Sequence, residues 1–379
     1  MINASAAGVI EACRANKDSI GTLYAGQNGI LGALHENLID TSKETPTAVA
    51  SLKHTPGGAF GSCRYKMRDH NEDSSEYERL VEVFKAHNIG YFFYNGGGDS
   101  ADTCLKVSQI AARMNYPLQA IHIPKTIDND LPHTDCSPGF GSVAKYVAVS
   151  TKEASLDIAS MCASSTKIFI LEVMGRHAGW IAASGGLAAE EAGDPPHIII
   201  FPEIPFSRDE FIAKVDATVK DKGYCVVVAS EGAKYADGAL ISGSLHKDAF
   251  GHQQLGGVAQ TLASMVKNSL GHKYHYALAD YLQRSARHIA SKTDVEQAYA
   301  VGKGAVEKAL EGKGGIMVTI ERGTGKKYSW SLGEAPLSKI ANVEKKMPRS
   351  FITKEGFGIT EKAREYFQPL IIGEDYPPY

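Results

Sequence analysis

Short apolar runs alternate with helical patterns along this chain. Six runs are typical of buried strands, because they are rich in β-branched and aromatic side chains and are bounded by Gly, Pro or polar residues. In chain order they are residues 89–95, 118–123, 167–173, 197–201, 224–229 and 316–320. Strands that alternate with helices predict an α/β fold built on parallel sheets.

Helical spacing fills the gaps between these strands. One helix face after the first strand carries Cys104, Val107, Ala111 and Met114. A helix of small residues, 181–188, follows the third strand, and Ser207 with Glu210 forms a capping box after the fourth. A further helix is expected from Asp294 to Glu311. The CSPGFGS stretch predicts a break between two lobes near Pro138–Gly139.

Composition narrows the class of protein. The 379 residues predict two or three domains, and 43% hydrophobic with 22% charged residues is ordinary for a globular protein. A net charge of −3 argues against a general nucleic-acid binder but leaves room for a local basic pocket. No apolar run approaches a membrane span, and the start lacks a signal-peptide pattern. The six cysteines form no C-x-x-C pair or zinc spacing, so we expect reduced thiols in a cytoplasmic enzyme.

Three of the predicted strands end in polar loops that contain glycine. These loops are GGGDS, PKTIDND and MGRHAG. In open parallel sheets, ligands bind at the carboxyl ends of the strands. The candidate site is therefore expected at these loops.

The GGGDS loop has two interpretations. Gly97 and Gly98 let backbone N–H groups approach a phosphate, and the following helix start favours negative charge. Asp99 works against a polyphosphate ligand, and either Asp99 or Ser100 could instead be an ordinary helix cap. The loop matches neither G-x-G-x-x-G nor the Walker pattern, so it predicts no dinucleotide site.

The PKTIDND loop favours phosphoryl chemistry. One of Asp128 and Asp130 can accept a hydroxyl proton while the other helps to hold Mg²⁺, and Lys125 can neutralise a phosphate in transit. The alternative is an Asx-type turn with solvated charges.

Three arginines are candidates for binding phosphate. Arg176 follows a strand directly and could bind phosphate through two parallel hydrogen bonds, or could pair with a nearby acid at a helix start. Arg64 follows a glycine-rich turn and Arg284 lies in YLQR. Taken alone, each of these two is more typical of a surface ion pair.

Taken together and in this order, GGGDS, PKTIDND, VMGR, the SE pair at 230–231 and YLQR resemble the phosphofructokinase family. The likeness runs from about residue 2 to beyond residue 300. It implies a Mg²⁺-dependent glycolytic or gluconeogenic phosphotransferase that acts on fructose 6-phosphate. It also implies a homo-oligomer, either a dimer or a tetramer. Neither nucleic acid nor membrane is expected as a partner.

The resemblance suggests roles on the donor side. Asp128 matches the catalytic base that takes the proton of the sugar 1-hydroxyl, and Asp130 matches an acid near Mg²⁺. Arg64 matches an arginine that faces the donor phosphates. The glycine loop matches the donor-binding segment through Gly97, Gly98, Asp99 and Ser100.

The resemblance also suggests residues that bind the sugar phosphate. Arg176 matches a group that steadies the transferred charge, and Glu231 matches an acid that binds a sugar hydroxyl. Lys167 stands where relatives reach a neighbouring subunit's substrate. The remaining expected contacts are Thr126, Ile127, Met174, Gly175, Tyr281, Gln283 and Arg284.

Two positions bear on the choice of donor. ATP users of the resembled family commonly carry glycine where this chain has Asp99 and Lys125, whereas pyrophosphate users commonly carry Asp and Lys. A carboxylate at position 99 repels the α-phosphate of a nucleotide, and a lysine at position 125 suits a small, highly charged donor. The resemblance therefore favours pyrophosphate over ATP.

Two alternative functions and a division into two lobes are also expected. The alternatives are an ATP-dependent kinase and a catalytically weak regulatory subunit that binds sugar phosphate. The second rests on the absence of a strand and a glycine-rich loop. Relatives carry both before the helix that starts here at Ile2–Asn3, so we expect either a shortened chain or a site lacking one wall. The donor lobe is expected at 1–138 plus about 285–335, and the sugar-phosphate lobe at 139–284 plus about 336–379, with the active site in the cleft between them.

Overall fold

The computed structural model describes residues 1–242 and 257–378, and the chain divides into two compact units. Unit 1 comprises Met1–Gly139, Lys292–Lys345 and Asp375–Tyr379, and unit 2 comprises Phe140–Ser291 and Lys346–Glu374. The chain thus changes unit at 139/140, 291/292, 345/346 and 374/375, whereas three changes were expected, at 138/139, 284/285 and 335/336. It ends in unit 1, not in the second lobe as expected. Residues 243–256 of that expected lobe lie outside the described residues.

Ten strands lie in the part of the chain that the structure describes. In chain order they are β1 (Tyr24–Gly26), β2 (Leu38–Asp40), β3 (Tyr91–Gly96), β4 (Gln119–Pro124), β5 (Ile168–Val173), β6 (Ile198–Ile200), β7 (Cys225–Ser230), β8 (Tyr274–Leu278), β9 (Ile316–Arg322) and β10 (Trp330–Pro336).

Twelve α-helices are found in the same described ranges, 1–242 and 257–378. They are α1 (Ile2–Ala15), α2 (Ile30–Leu34), α3 (Pro46–Ser51), α4 (Ser75–Ala86), α5 (Gly98–Arg113), α6 (Phe140–Met161), α7 (Trp180–Ser184), α8 (Arg208–Lys222), α9 (Val258–Leu270), α10 (Asp280–Ser285), α11 (Lys292–Leu310) and α12 (Glu361–Phe367). None of them is long and apolar enough to cross a membrane.

Unit 1 is built on a four-stranded sheet in the order β10-β9-β4-β3, with a separate antiparallel pair, β1 and β2. Strands β3, β4 and β9 run parallel, and β10 is antiparallel to β9. Helices α1 and α11 pack closely because a glycine of each helix lies against the backbone of the other. A Cβ at Gly8 would lie 2.2 Å from the Tyr299 carbonyl oxygen, and one at Gly302 would lie 2.0 Å from that of Ser5.

Unit 2 is built on an all-parallel sheet in the order β6-β7-β5-β8. The side chains of β7 are all buried, and residues of α8 and α9 pack on this sheet in one apolar core. The Ser207 hydroxyl accepts the Glu210 N–H at 3.4 Å and caps α8, as the capping box predicted. Strand β8 forms the edge of the sheet and is more exposed than its neighbours.

The predicted α/β class with two lobes is confirmed. Each predicted strand corresponds to an observed one, namely β3, β4, β5, β6, β7 and β9. Four strands were not predicted, β1, β2, β8 and β10, and the pattern also missed the 22-residue helix α6. The small-residue helix is shorter than expected, because α7 ends at Ser184 and continues as a 3₁₀ turn over Gly185–Ala188.

Candidate active site

In unit 1, the GGGDS and PKTIDND loops leave neighbouring strands side by side. Gly96 pairs with Pro124 at the carboxyl ends of β3 and β4, and the Lys125 N–H donates to the Gly96 carbonyl at 2.9 Å. A Cβ at Gly97 would lie 3.8 Å from the Cβ of Thr126. The parallel pairing therefore brings the start of the two loops together at one edge of the sheet.

The glycine loop, residues 96–100, leads directly into α5. A Cβ at Gly96 would lie only 2.1 Å from the Ser100 hydroxyl oxygen, so the absence of a side chain at Gly96 leaves room for Ser100. Gly97 is the N-cap, and no side chain caps this helix start by a hydrogen bond. Ser100 thus packs over the strand end instead of capping.

Asp99 lies in the first turn of α5, where a carboxylate is favoured by the helix dipole. Its side chain is 56% exposed, and its Oδ1 lies 4.0 Å from the Lys66 ammonium. Lys66 belongs to the segment that carries the exposed Arg64. The Lys66 ammonium therefore lies beside the glycine loop. Sequence reasoning did not single out Lys66, which is marked only by its place in the basic RYKMR stretch.

The acid loop, residues 125–139, folds back on itself after β4. The Thr126 hydroxyl accepts the Asp128 N–H at 3.1 Å and lies 3.5 Å from Asp128 Oδ2. Asn129 is fully buried in a left-handed conformation with φ 54°, and its Oδ1 accepts the Ser137 N–H at 3.0 Å. This tight turn holds the half-buried Asp128 one residue from a fixed anchor.

Asp130 has the features expected of an oxygen ligand. Its Oδ1 is buried without a hydrogen-bond partner, and burial raises the pKa of this carboxyl, with Glu344 adding to the effect. Mg²⁺ takes oxygen ligands and often uses only one or two protein carboxylates, with water and substrate phosphates supplying the rest. No group of three or more His, Cys, Asp or Glu converges among the residues that the structure describes. The acid loop therefore fits a magnesium ion held mainly by substrate and water.

In unit 2, Glu231 lies where β5 and β7 end together. Its N–H donates to the Val173 carbonyl at 2.9 Å, and its Oε1 accepts the Gly175 N–H at 3.3 Å. Burial raises the pKa of Glu231, whereas the Gly175 hydrogen bond and the nearby Arg176 charge act in the opposite direction. An acid placed in this way can accept hydrogen bonds from sugar hydroxyls beside the arginine.

The YLQR residues meet the same strand end. Gln283 is 3% exposed, and its Oε1 accepts the Met174 N–H at 3.3 Å. The Arg284 guanidinium stacks 4.0 Å from the centroid of the Tyr281 ring, which is itself 57% exposed. The buried amide ties α10 to β5, while the stacked pair remains accessible to a phosphorylated ligand.

Close backbone contacts shape the loop around Arg176. Gly175 has φ 130°, which favours glycine, and its carbonyl accepts the Ser230 hydroxyl at 2.7 Å. A Cβ at Gly232 would lie 2.0 Å from the Arg176 carbonyl oxygen. Ser230 and Gly232 thus help to fix Arg176, although the sequence analysis gave neither a site role.

We expect Gly232→Ala to displace the Arg176 backbone. The added methyl group cannot fit at 2.0 Å, so the variant should be destabilised by about 1–3 kcal/mol or more and should bind sugar phosphate less tightly. Thermal unfolding and the KM for the expected acceptor, fructose 6-phosphate, measure the two effects. Gly90→Ala is the matched control, because nothing lies within 4 Å of a Cβ there. Wild-type KM in Gly232→Ala would contradict this reading of the loop.

Lys167 lies apart from the other expected residues of unit 2. It precedes β5, at the opposite end of the strand from Met174, and its ammonium donates to the Cys162 carbonyl at 2.8 Å. Within one chain it is therefore not part of the cluster around Glu231. The contact with a neighbouring subunit's substrate stays a prediction.

The cluster in each unit suits a particular chemistry. Unit 1 presents a helix start, lysines and two acids, which are the groups that phosphoryl transfer needs. Unit 2 presents an arginine, a buried glutamate and an accessible arginine–tyrosine pair, which suit a phosphorylated polyol.

A model of the phosphofructokinase family matches residues 1–309, and the chain belongs to this family. A pyrophosphate–fructose 6-phosphate 1-phosphotransferase from Halomonas elongata is 65% identical over 379 residues, which is 100% of this chain and 90% of the relative. One from Methylococcus capsulatus is 62% identical with the same coverage. The crystal structure of a pyrophosphate-dependent phosphofructokinase from Marinobacter aquaeolei is 64% identical, with a TM-score of 0.91 over 100% of this chain and 90% of that one.

Proposed function

We propose that this chain transfers a phosphoryl group from pyrophosphate to the 1-hydroxyl of fructose 6-phosphate. The products are fructose 1,6-bisphosphate and phosphate, and the reaction is reversible because both sides carry similar phosphoryl potential. The observation that carries the proposal is the pairing of β3 with β4, which places the helix start of Asp99 beside Lys125. The high identity to the relatives named above supports the same activity.

The charges around the glycine loop favour a small donor. The exposed Asp99 carboxylate repels the additional phosphate of a nucleotide, whereas Lys66 and Lys125 offset that charge for compact pyrophosphate. Two unit charges about 4 Å apart interact by about 4 kcal/mol at an effective dielectric near 20, before screening by solvent and salt. Even after a severalfold reduction for screening, an interaction free energy of this size is large enough to select the donor.

Asp128 accepts the proton that the sugar 1-hydroxyl loses as its oxygen attacks phosphorus. The Thr126 hydroxyl beside Asp128 Oδ2 and the buried Asn129 restrict where the carboxylate can point. Lys125 and Arg176 stabilise the charge on the transferred group, and phosphate leaves from the donor side. Positioning and charge stabilisation of this kind account for most catalysis of phosphoryl transfer.

The residues of unit 2 bind the acceptor. Glu231 accepts hydrogen bonds from sugar hydroxyls, and Arg284 with Tyr281 binds the 6-phosphate. Met174 and Gly175 shape the loop that contacts the sugar. Thr126 and Ile127, in the acid loop of unit 1, complete the proposed set of acceptor contacts.

Magnesium is the metal that the donor chemistry requires. When bound, Mg²⁺ neutralises the phosphate oxygens and makes the donor a better phosphoryl source. Asp130 is the residue that would hold it, because its buried Oδ1 has no other partner. We also propose that the enzyme is a homo-oligomer, and the exposed edge strand β8, where Leu278 is 48% exposed, supports this.

A two-donor assay tests the proposal. Fructose 1,6-bisphosphate formation is followed through aldolase coupling with either pyrophosphate or ATP and with Mg²⁺ present. Turnover with pyrophosphate and little with ATP is expected. The reverse result would identify an ATP-dependent kinase, and binding of fructose 6-phosphate without turnover would identify a regulatory subunit.

A further inference from the structure

Lys345 follows β10 in a segment without helix or strand, and it contacts the acid loop at several points. Its ammonium donates to Asn129 Oδ1 at 3.2 Å, to the Thr134 carbonyl at 3.1 Å and to the Asp135 carbonyl at 3.0 Å. Its backbone N–H also donates to the Asp130 carbonyl at 2.6 Å. One residue thus joins both arms of the loop, more than 200 positions away in sequence.

The far arm of the loop is already fixed to the sheet. The Thr134 hydroxyl accepts the Ile320 N–H at 2.9 Å, and the Asp135 carboxylate accepts Arg322 Nε at 3.0 Å. Ile320 and Arg322 belong to β9, so this arm has a rigid support. Lys345 connects the near arm, which carries Asp128, to that support through the side chain of Asn129.

The Asn129 side chain makes this connection specific. Its Oδ1 accepts both the Ser137 N–H and the Lys345 ammonium, and its backbone has the left-handed φ of 54°. Without the ammonium, Asn129 Oδ1 keeps the Ser137 N–H as a donor, but it loses a hydrogen bond from a charged group, which is the stronger kind. The link from Asn129 to the carbonyls of residues 134 and 135 is lost with it. Loss of the ammonium would therefore relax the turn immediately after Asp128.

We propose that Lys345 is a positioning residue for Asp128, holding the acid loop in the geometry that proton acceptance requires. The expected effect of Lys345 on kcat rests on the proposed function, whereas its role in fixing the acid loop does not. A catalytic group displaced by about 1 Å can lose about 100-fold in rate. Lys345 therefore acts on the chemical step without touching either substrate.

Lys345→Met is the test, because methionine matches the length of the lysine stem up to Cε and removes the ammonium donors. We expect kcat with pyrophosphate to fall about 10- to 100-fold while both KM values stay within about threefold. Hydrogen exchange followed by mass spectrometry should show faster exchange of the amides of residues 128–137. Lys345→Arg, which keeps the charge and the donors, should recover part of kcat.

Lys145→Met is the matched control. Lys145 is also buried, with its ammonium 2.9 Å from the Gly373 carbonyl and 2.8 Å from Glu374, but it lies in unit 2 on α6. This variant should leave kcat and exchange in residues 128–137 unchanged. Equal losses of kcat in both variants, or unchanged exchange in Lys345→Met, would overturn the positioning role.

Failure of Lys345→Met to fold and failure of the proposed function can be told apart. If Lys345→Met does not fold, Asn129→Gly removes the same connection and retains the left-handed backbone, so a normal kcat in that variant would refute the proposal. If wild-type protein shows no turnover with either donor, the proposed function fails. The exchange measurement then still decides whether Lys345 fixes the acid loop.

Discussion

We expect Asp128→Asn to lower kcat about 100- to 10,000-fold with pyrophosphate as the donor, the usual value of a positioned proton acceptor. Asparagine keeps the shape of the side chain and cannot take a proton. Its contacts with the Thr126 hydroxyl remain possible, so the loop should keep its fold. The KM values for pyrophosphate and fructose 6-phosphate should change little, because the lost interaction belongs to the transition state.

Steady-state kinetics and thermal unfolding together check this result. Asp18→Asn is the control, since it makes the same chemical change at an exposed position of unit 1. The control should match the wild type in both measurements. A folded Asp128→Asn variant with more than about one tenth of wild-type kcat would remove Asp128 from the role of base.

The second large effect concerns the donor. Replacing both Asp99 and Lys125 by glycine should shift the ratio of kcat/KM for pyrophosphate to that for ATP by about tenfold or more toward ATP. The lost carboxylate no longer repels a nucleotide, and the lost ammonium no longer favours the compact donor. A tenfold change corresponds to about 1.4 kcal/mol, which is well below the unscreened interaction of two such charges.

The two single variants separate the contribution of each charge to the choice of donor. Asp99→Gly should mainly improve kcat/KM for ATP, and Lys125→Gly should mainly weaken that for pyrophosphate. Competition assays with both donors present measure the preference directly. An unchanged preference in the double variant would show that the charges at positions 99 and 125 do not select the donor.

The strand cores were predictable because their signals are local. The apolar run before GGGDS and the run before PKTIDND are each closed by Gly or Pro, and both became neighbouring parallel strands. Strand β8 was missed because its exposed edge position gives no contrast between apolar and polar residues. Strand β10 was missed because Gly333 and Glu334 interrupt its pattern, and only pairing with β9 makes it a strand.

The candidate site was predictable only where chemistry and loop position coincide. Asp128, Lys125 and Asp99 each follow a predicted strand, so their types and places suggested a role. Lys345 and Gly232 carry no such signal. Lys345 lies in an ordinary charged stretch, and its partners are distant in sequence. The need for glycine at position 232 arises from the backbone of Arg176, which only the folded chain brings near.

The interleaved segments of unit 1 bear on how the protein is made. Strand β4 gains its second neighbour, β9, only after the whole segment Phe140–Ser291 has left the ribosome. Until then, the amino-terminal residues carry an uncovered sheet edge, which is a site for unwanted pairing. Contacts between such distant segments also slow folding. We therefore expect nascent chains to be most prone to aggregation before β9 is made, and chaperones that cover exposed strand edges to raise the yield of folded protein.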